Sequence, residues 1–422
     1  MSDLPDYTKY IVQAPRDAIS ITLDYGSLTV QPMLTRPAIL DGINVKTKIA
    51  LVTDYLKQCC IKPPACTVAG PAGTMNSYEG GYMCRALIQK AGSGEQDLAR
   101  DCLDHWVTLQ KTNGSFSQSY YPGLNVSGTH DEVEDLQVDS GTAVLCWAMA
   151  DYDNISPGGG TRYKTVVQKG MAFLKELQTH MINKWGVKLL SNMIKAGVYD
   201  DVALYADCSE CLLAIKACLD TYGGALTDSN GSSVATLGND LYEAIGQNAY
   251  AGDAGRYWFT GYPDGTQPLV TFTYKEKLVV CQALTSWAVY VWYHSGYCTK
   301  PDYTGPCEKA LDCTLCLSHG KWGGFIYSPY YALKDETLFE YVTYTAMMVM
   351  AMDAVNSSKY ANYITAGTNF LKWLHLGDGR CFDFVRPSGE LDVGRVLVAG
   401  IQAKEEFGWL ALNPALALLA GA

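Results

Sequence analysis

The chain has 422 residues, 48% hydrophobic and 18% charged, with a formal net charge of −11. That length suits two domains or one large helical toroid, and the composition excludes a disordered chain. The acidic balance excludes nucleic acid and anionic membrane as general partners, because both require a basic footprint.

Residues 1–42 read unlike the rest. The stretches 19–23 and 27–30 alternate as short strands around Asp24-Tyr25-Gly26, and Pro5, Pro15, Pro32 and Pro37 punctuate them. This predicts an arm, distinct from a main domain at 43–422, that lies against that domain or docks onto another protein. The first residues carry acids and no apolar core of leader length. No window is apolar for the length of a membrane span, and the apolar stretch 409–422 is short and holds Pro414. The expectation is a cytoplasmic or non-classically released protein without a span, with a virion component as the alternative.

From Val45 onward the pattern is helical and repeats about every sixty residues. Each unit joins an amphipathic helix to a nearly all-apolar one through a Gly- and aromatic-rich connection. The amphipathic helices are predicted at 45–60, 96–111, 162–183, 234–248, 307–318 and 360–376. Their apolar partners are predicted at 79–91, within 130–153, at 201–222, 273–294 and 336–355, and in a broken helix near the C-terminus. In the third amphipathic helix Val166, Val167, Gly170, Met171 and Leu174 share one face, and Lys164, Lys169, Lys175 and Glu176 the other. A helix that is apolar all round is buried on all sides. Six surface-type helices alternating with six buried ones predict two concentric rings. The expected fold is all-α, an (α/α)6 toroid of six helical hairpins, with the short β-containing N-terminal arm. A solenoid would leave its inner helices facing water on the concave side, and they would be less apolar.

The connections into the apolar helices would share one end of such a toroid. The sequence puts acids there: five carboxylates in the nine residues 131–139, Asp200 with Asp201, and Glu79, Glu336 and Glu340. Carboxylates over an aromatic funnel suit glycosidic bond cleavage, in which one acid protonates the leaving oxygen and another acts as base or nucleophile. On this reading Asp139 and Asp200 or Asp201 are catalytic. Tyr121, Tyr199, Trp258, Tyr262, Trp322, Tyr327 and Glu340 would bind substrate, since aromatic faces stack on sugars. Acids at helix N-termini are also favoured by the helix dipole and by capping, with no catalysis, and that reading stands beside the first. Asp139 differs from the others. It begins a buried helix, where a lone acid costs free energy unless something uses or pairs it, and Gly141 beside it leaves room for a ligand.

The 15 cysteines lie mostly within apolar helical patterns, which fits core packing in a reducing compartment. Two CxxC pairs, Cys208/Cys211 and Cys313/Cys316 with His319 after it, have zinc-ligand spacing. Both lie in helical patterns, where the same spacing marks one packed face, so no metal or other cofactor is expected.

The hairpin count, the Gly/aromatic loops and two acidic segments resemble the six-hairpin glycosidases, nearest to the unsaturated glucuronyl and rhamnogalacturonyl hydrolases. Asp139-Ser140-Gly141 is similar to the Asp-x-Gly segment that opens one inner helix in that group. Asp200-Asp201-Val202-Ala203-Leu204-Tyr205 is similar to the acid that opens the next. Gln137-Val138 stand where the group has a His, and its helical Pro is missing after Asp201. The resemblance implies that one of these acids protonates an unsaturated uronic sugar and activates water, with Lys275, Lys334 or Arg386 near its carboxylate. Two functional expectations follow: a carbohydrate hydrolase acting on an oligosaccharide, uronic-acid-containing by the resemblance, or a non-catalytic glycan-binding or structural protein docked through residues 1–42.

Overall fold

The computed structural model describes residues 60–61, 67–68, 75–90, 93–125, 127–156, 160–251, 256–257, 260–261, 278–326, 339–374 and 384–385. The predicted arm, nearly all of the first predicted amphipathic helix and everything after 385 lie outside them. Ten helices alternate among the described residues, α1 Ser77–Lys90, α2 Ser93–Thr108, α3 Asp139–Ile155, α4 Lys164–Trp185, α5 Tyr205–Tyr222, α6 Val234–Asn248, α7 Leu278–Tyr293, α8 Gly305–Ser318, α9 Val342–Asn356 and α10 Ala361–Trp373.

The odd-numbered helices form the inner ring. They touch one another in the order α1, α3, α5, α7, α9, and each even-numbered helix packs on the outside of its chain neighbours. Inner helices run parallel. Tyr78 and Tyr82 of α1 bond to Glu210 in the first half of α5. At the opposite end Thr221 and Tyr222 of α5 bond to Ala150 and Asp153 near the end of α3. Parallel inner helices follow from the topology, because each pair is separated by one antiparallel outer helix.

Hydrophobic pattern decides which ring a helix joins. Every residue of α3 from Asp139 to Ala150 is buried, as is every residue of α5 from Cys208 to Ile215. In α4 the buried set is Val167, Gly170, Met171, Leu174, Leu177 and Met181 with their immediate neighbours, while Lys169 and Thr179 are exposed. Outer and inner helices approach closely where side chains are small: a Cβ on Gly170 would stand 2.4 Å from Cys146 Sγ of α3.

Short sheets precede the inner helices, and the sequence pattern did not predict them. β1 Met75–Asn76, β2 Ser119–Leu124 and β3 His130–Glu132 form one antiparallel sheet, with Met75 opposite Tyr120 and Tyr120 opposite Glu132. β4 Leu136–Val138, β5 Met193–Lys195 and β6 Val198–Tyr199 form a second, with Gln137 opposite Ile194 and Ile194 opposite Tyr199. β7 Ala203–Leu204 pairs with β8 Thr260–Gly261. β9 Phe325–Ile326, β10 Glu340–Tyr341 and β11 Phe384–Val385 form a third three-stranded sheet. Strands β1, β4, β7 and β10 run directly into α1, α3, α5 and α9. The aromatic-rich connections thus fold as small ladders at the end where the inner helices begin. They fix the direction in which each inner helix starts.

One helix boundary differs in a way that matters for function. The predicted third inner helix begins at 201, but α5 begins at Tyr205. Asp200 Oδ1 accepts the Val202 N–H at 3.2 Å, a local turn that competes with helix, and the next two residues are strand β7.

Candidate functional site

The site is built from the first two turns of three inner helices. Asp139 is the first residue of α3 and is 0% exposed. Strand β4 delivers it there, and its own N–H donates to the Asn192 carbonyl at 3.2 Å. One carboxyl oxygen, Oδ1, accepts the Ser140 N–H at 2.7 Å. The other, Oδ2, is buried without a hydrogen-bond partner. Burial first, then the negative charge of Asp207, hold this carboxyl well above the ordinary carboxylate range, against the Ser140 bond, which favours ionisation; Glu210 adds to the upward push.

Asp207 and Glu210 lie on α5 one turn apart. Glu210 is 1% exposed. Its Oε1 accepts the hydroxyls of Tyr78, at 3.0 Å, and Tyr82. Burial pushes the Glu210 carboxyl up to about 8, outweighing the tyrosine bonds, and the charge of Asp207 acts in the same upward direction. Glu79 of α1 is pushed up to about 7 by burial. It does not cap its helix: Asn76 Oδ1 does so, taking the N–H groups of Tyr78 and Glu79.

Below this cluster along α1 lies Arg85, also buried. Its Nε donates to Asp151 of α3 at 2.8 Å, and its guanidinium carbon stands 3.4 Å from the centre of the Trp147 ring. Trp147 in turn is 6.0 Å from Trp287 of α7. Four inner helices therefore meet around Arg85, the tryptophans and Glu210. A buried cation held by one carboxylate and two aromatic rings, Trp147 and Tyr82, is a costly arrangement for a core. Arg85 Nη1 has no hydrogen-bond partner.

The structure brings only part of the predicted set together. Asp139 is at the inner-ring mouth. Asp201 is not: it faces the outer helix α4, where its carboxylate binds His180 at 3.0 Å and Lys184 at 2.7 Å. Lys184 and then His180 hold its pKa below the ordinary value. Asp200 shapes the turn before β7. Tyr199 stacks on His180, with ring centres 4.5 Å apart. Tyr121 is 51% exposed on β2. Trp322 lies 5.6 Å from Trp373 of α10. Glu340 is buried, and both its oxygens are occupied, by the Trp322 N–H at 2.9 Å and the Gly324 N–H at 2.7 Å. Burial pushes it up to about 7 in spite of those bonds. Trp258, Tyr262 and Tyr327 lie outside the described residues, as do Lys275, Lys334 and Arg386.

Gly141 also has a different role from the expected one. A Cβ there would stand 2.5 Å from Ser77 Oγ, so the glycine lets α3 approach α1 rather than a ligand. The acids of 131–135 belong to the rim: Lys111 binds Glu132 and Asp135, and Lys195 binds Glu134. Cys208 and Cys211 are buried free thiols, and burial pushes both up. Among the described residues, no three His, Cys, Asp or Glu side chains are grouped to hold a metal.

Sequence reasoning missed Asp207, Glu210, Tyr78, Tyr82 and Arg85. The signal was a charged residue inside an otherwise apolar helix: Glu210 between the two cysteines of a CxxC pair, and Arg85 within 82–88. The CxxC spacing drew attention to the thiols instead.

No protein-family pattern matches the sequence, and no curated protein matches it. Solved structures do match the fold. A D-mannose isomerase is 12% identical, with 91% of this chain and 99% of that one aligned at a TM-score of 0.65. A cellobiose 2-epimerase from Bacillus thermoamylovorans B4167 is 8% identical over 88% and 97%, at 0.62. An alpha-amylase from Clostridium perfringens is 9% identical over 90% and 99%, at 0.57. The fold is an (α/α)6 toroid. At these identities the similarity concerns the fold alone, and function has to be argued from the site.

Proposed function

We propose that the protein is a carbohydrate-processing enzyme, a glycoside hydrolase that works from the mouth of the inner ring. The observation that carries this reading is the fully buried Asp139 carboxyl, with one oxygen unpartnered and Asp207 and Glu210 close enough to oppose its ionisation. A carboxyl kept protonated beside a second acid is the arrangement that proton transfer to a glycosidic oxygen needs. In this reading Asp139 donates the proton, Asp207 receives one from the attacking water, and two tyrosines fix Glu210 beside them. The same acid and base could move a proton at a sugar carbon. The isomerase and epimerase have the higher TM-scores among the three structures compared, which favours isomerisation or epimerisation as the second reading.

One screen separates these possibilities. Neutral and uronic oligosaccharides are incubated with the protein in D2O. New reducing ends mark hydrolysis, while deuterium at C2 of an intact sugar marks epimerisation. Asp139→Asn should lower turnover on the substrate found by roughly 10²–10⁴-fold, the usual worth of a general acid. Turnover at the wild-type rate by a folded Asp139→Asn protein removes Asp139 from the mechanism.

A further inference from the structure

A cleft of about 490 Å³ opens along the solvent side of α4, away from the inner ring. Lys175, Thr179 and Asn183, one turn apart in succession, line it from the helix. The turn at 112–113, the turn at 228–232 and Tyr199 of β6 complete its walls. Its volume lies within the roughly 300–1,000 Å³ range of small-molecule sites.

The lining is fixed in advance. Tyr199 and His180 both border the cleft, and their rings are parallel within 9°. The Tyr199 hydroxyl donates to Glu176, and His180 is held by Asp201, so neither ring turns without breaking a bond. The 228–232 turn is tied by Asp228 Oδ1, which accepts the N–H groups of Asn230 and Ser232 at 2.8 Å each. Asn113 is held by Gln137 at 2.9 Å. Such bracing of ring and amide positions is what a binding surface needs and a solvated surface does not.

Charge and polarity select the ligand class. Lys169 and Lys175 are balanced by Glu176 and Asp228, so the cleft has no net charge to draw an anion. What remains is an aromatic pair with amides and hydroxyls around it. Aromatic rings with a polar edge cover the C–H faces of a sugar, and amides and hydroxyls pair with its hydroxyls. We propose that this cleft is a second carbohydrate site, which binds a neutral oligosaccharide chain on the outside of the toroid without acting on it. The proposal does not rest on the catalytic reading.

The test is electrophoresis of the full chain in native gels containing hydroxyethylcellulose, glycogen, galactomannan or polygalacturonate. At least one neutral polysaccharide should retard the protein. Tyr199→Ala removes half of the stacked pair, and Thr179→Trp fills the cleft from an exposed helix position. Each should weaken retardation by about tenfold or more, with the fold checked by circular dichroism. Asp139→Asn should be retarded like the wild type. The proposal is overturned if no neutral gel retards the protein, if only polygalacturonate does, if folded Thr179→Trp binds unchanged, or if Asp139→Asn abolishes binding. Retardation with no turnover of any sugar would remove the catalytic reading and leave this one standing.

Discussion

Glu210→Gln turns the buried-acid argument into a number. In the folded chain the Glu210 carboxyl is pushed up to about 8, while its ordinary value is 4.5. Between those values the unfolded chain has released the proton and the folded chain still holds it. Stability then falls as pH rises, by about 1.4 kcal/mol per pH unit. The loss starts near pH 4.5, is complete near pH 8, and reaches on the order of 4 kcal/mol at about pH 7.5. Gln has no proton to lose. Its amide oxygen still accepts the Tyr78 and Tyr82 hydroxyls, and its NH₂ replaces the acid O–H. Glu210→Gln should therefore unfold at higher urea than the wild type at pH 7.5, by up to about 4 kcal/mol, and at nearly the same urea at pH 4.5. The assay is a set of urea titrations of both proteins across that range. A difference that does not change with pH, or a less stable Gln variant at pH 7.5, would refute the reasoning. It would mean that Glu210 is ionised in the fold, with the two tyrosines as charge-assisted donors.

Three further outcomes follow from the geometry. Gly141→Ala should destabilise the fold by about 1–3 kcal/mol through contact with Ser77, and adding Ser77→Ala should recover most of that in urea titrations; strict additivity would rule out the contact as the cause. Glu340→Gln turns one acceptor toward a backbone N–H into a donor, so it should cost about 1–3 kcal/mol and speed amide exchange at Trp322 or Gly324; unchanged exchange at both would refute it. Asp201→Asn should change stability by less than about 1 kcal/mol, because the side chain is 43% exposed; a loss of several kcal/mol would show that its pairing with His180 and Lys184 is not a surface one.

Ring membership was legible in the sequence because it depends on hydrophobic pattern alone. The predicted 234–248 coincides with α6, and the predicted 162–183 differs from α4 by two residues at each end. The short ladders were not legible. Strands of two or three residues carry too little periodicity, and their partners are distant: Ala203 pairs with Gly261. That omission moved the start of the third inner helix and, with it, the expected position of Asp201. Asp139 was legible as the point where an acid meets an apolar run, and it is the first residue of α3. Its neighbours were not, because closeness across the ring depends on helix rotation. Asp207 and Glu210, from the first two turns of α5, are the acids whose charge acts on Asp139.

Capping and proton donation make opposite demands on an acid, and the carboxyls of this molecule differ in exposure, pairing and the direction of their pKa shifts. Charged acids that serve the surface are exposed, paired with lysine and held below their ordinary values, as Asp135 and Asp201 are. Asp139, Glu79 and Glu210 are pushed upward by burial. Helix dipoles favour the ionised form, so capping does not account for carboxyls held above their ordinary values. Burial by itself is not the distinguishing feature, because Glu340 is also buried and raised. Glu340, however, has both oxygens bonded to backbone N–H groups of its own loop, which is a sufficient structural use. Asp139 has one oxygen bonded and one facing nothing that donates. An unsatisfied buried oxygen costs about 1–3 kcal/mol, and a protonated oxygen at that position could donate rather than accept. On the proposed reading, the difference between Glu340 and Asp139 separates an acid that holds the fold from one that has a proton to give.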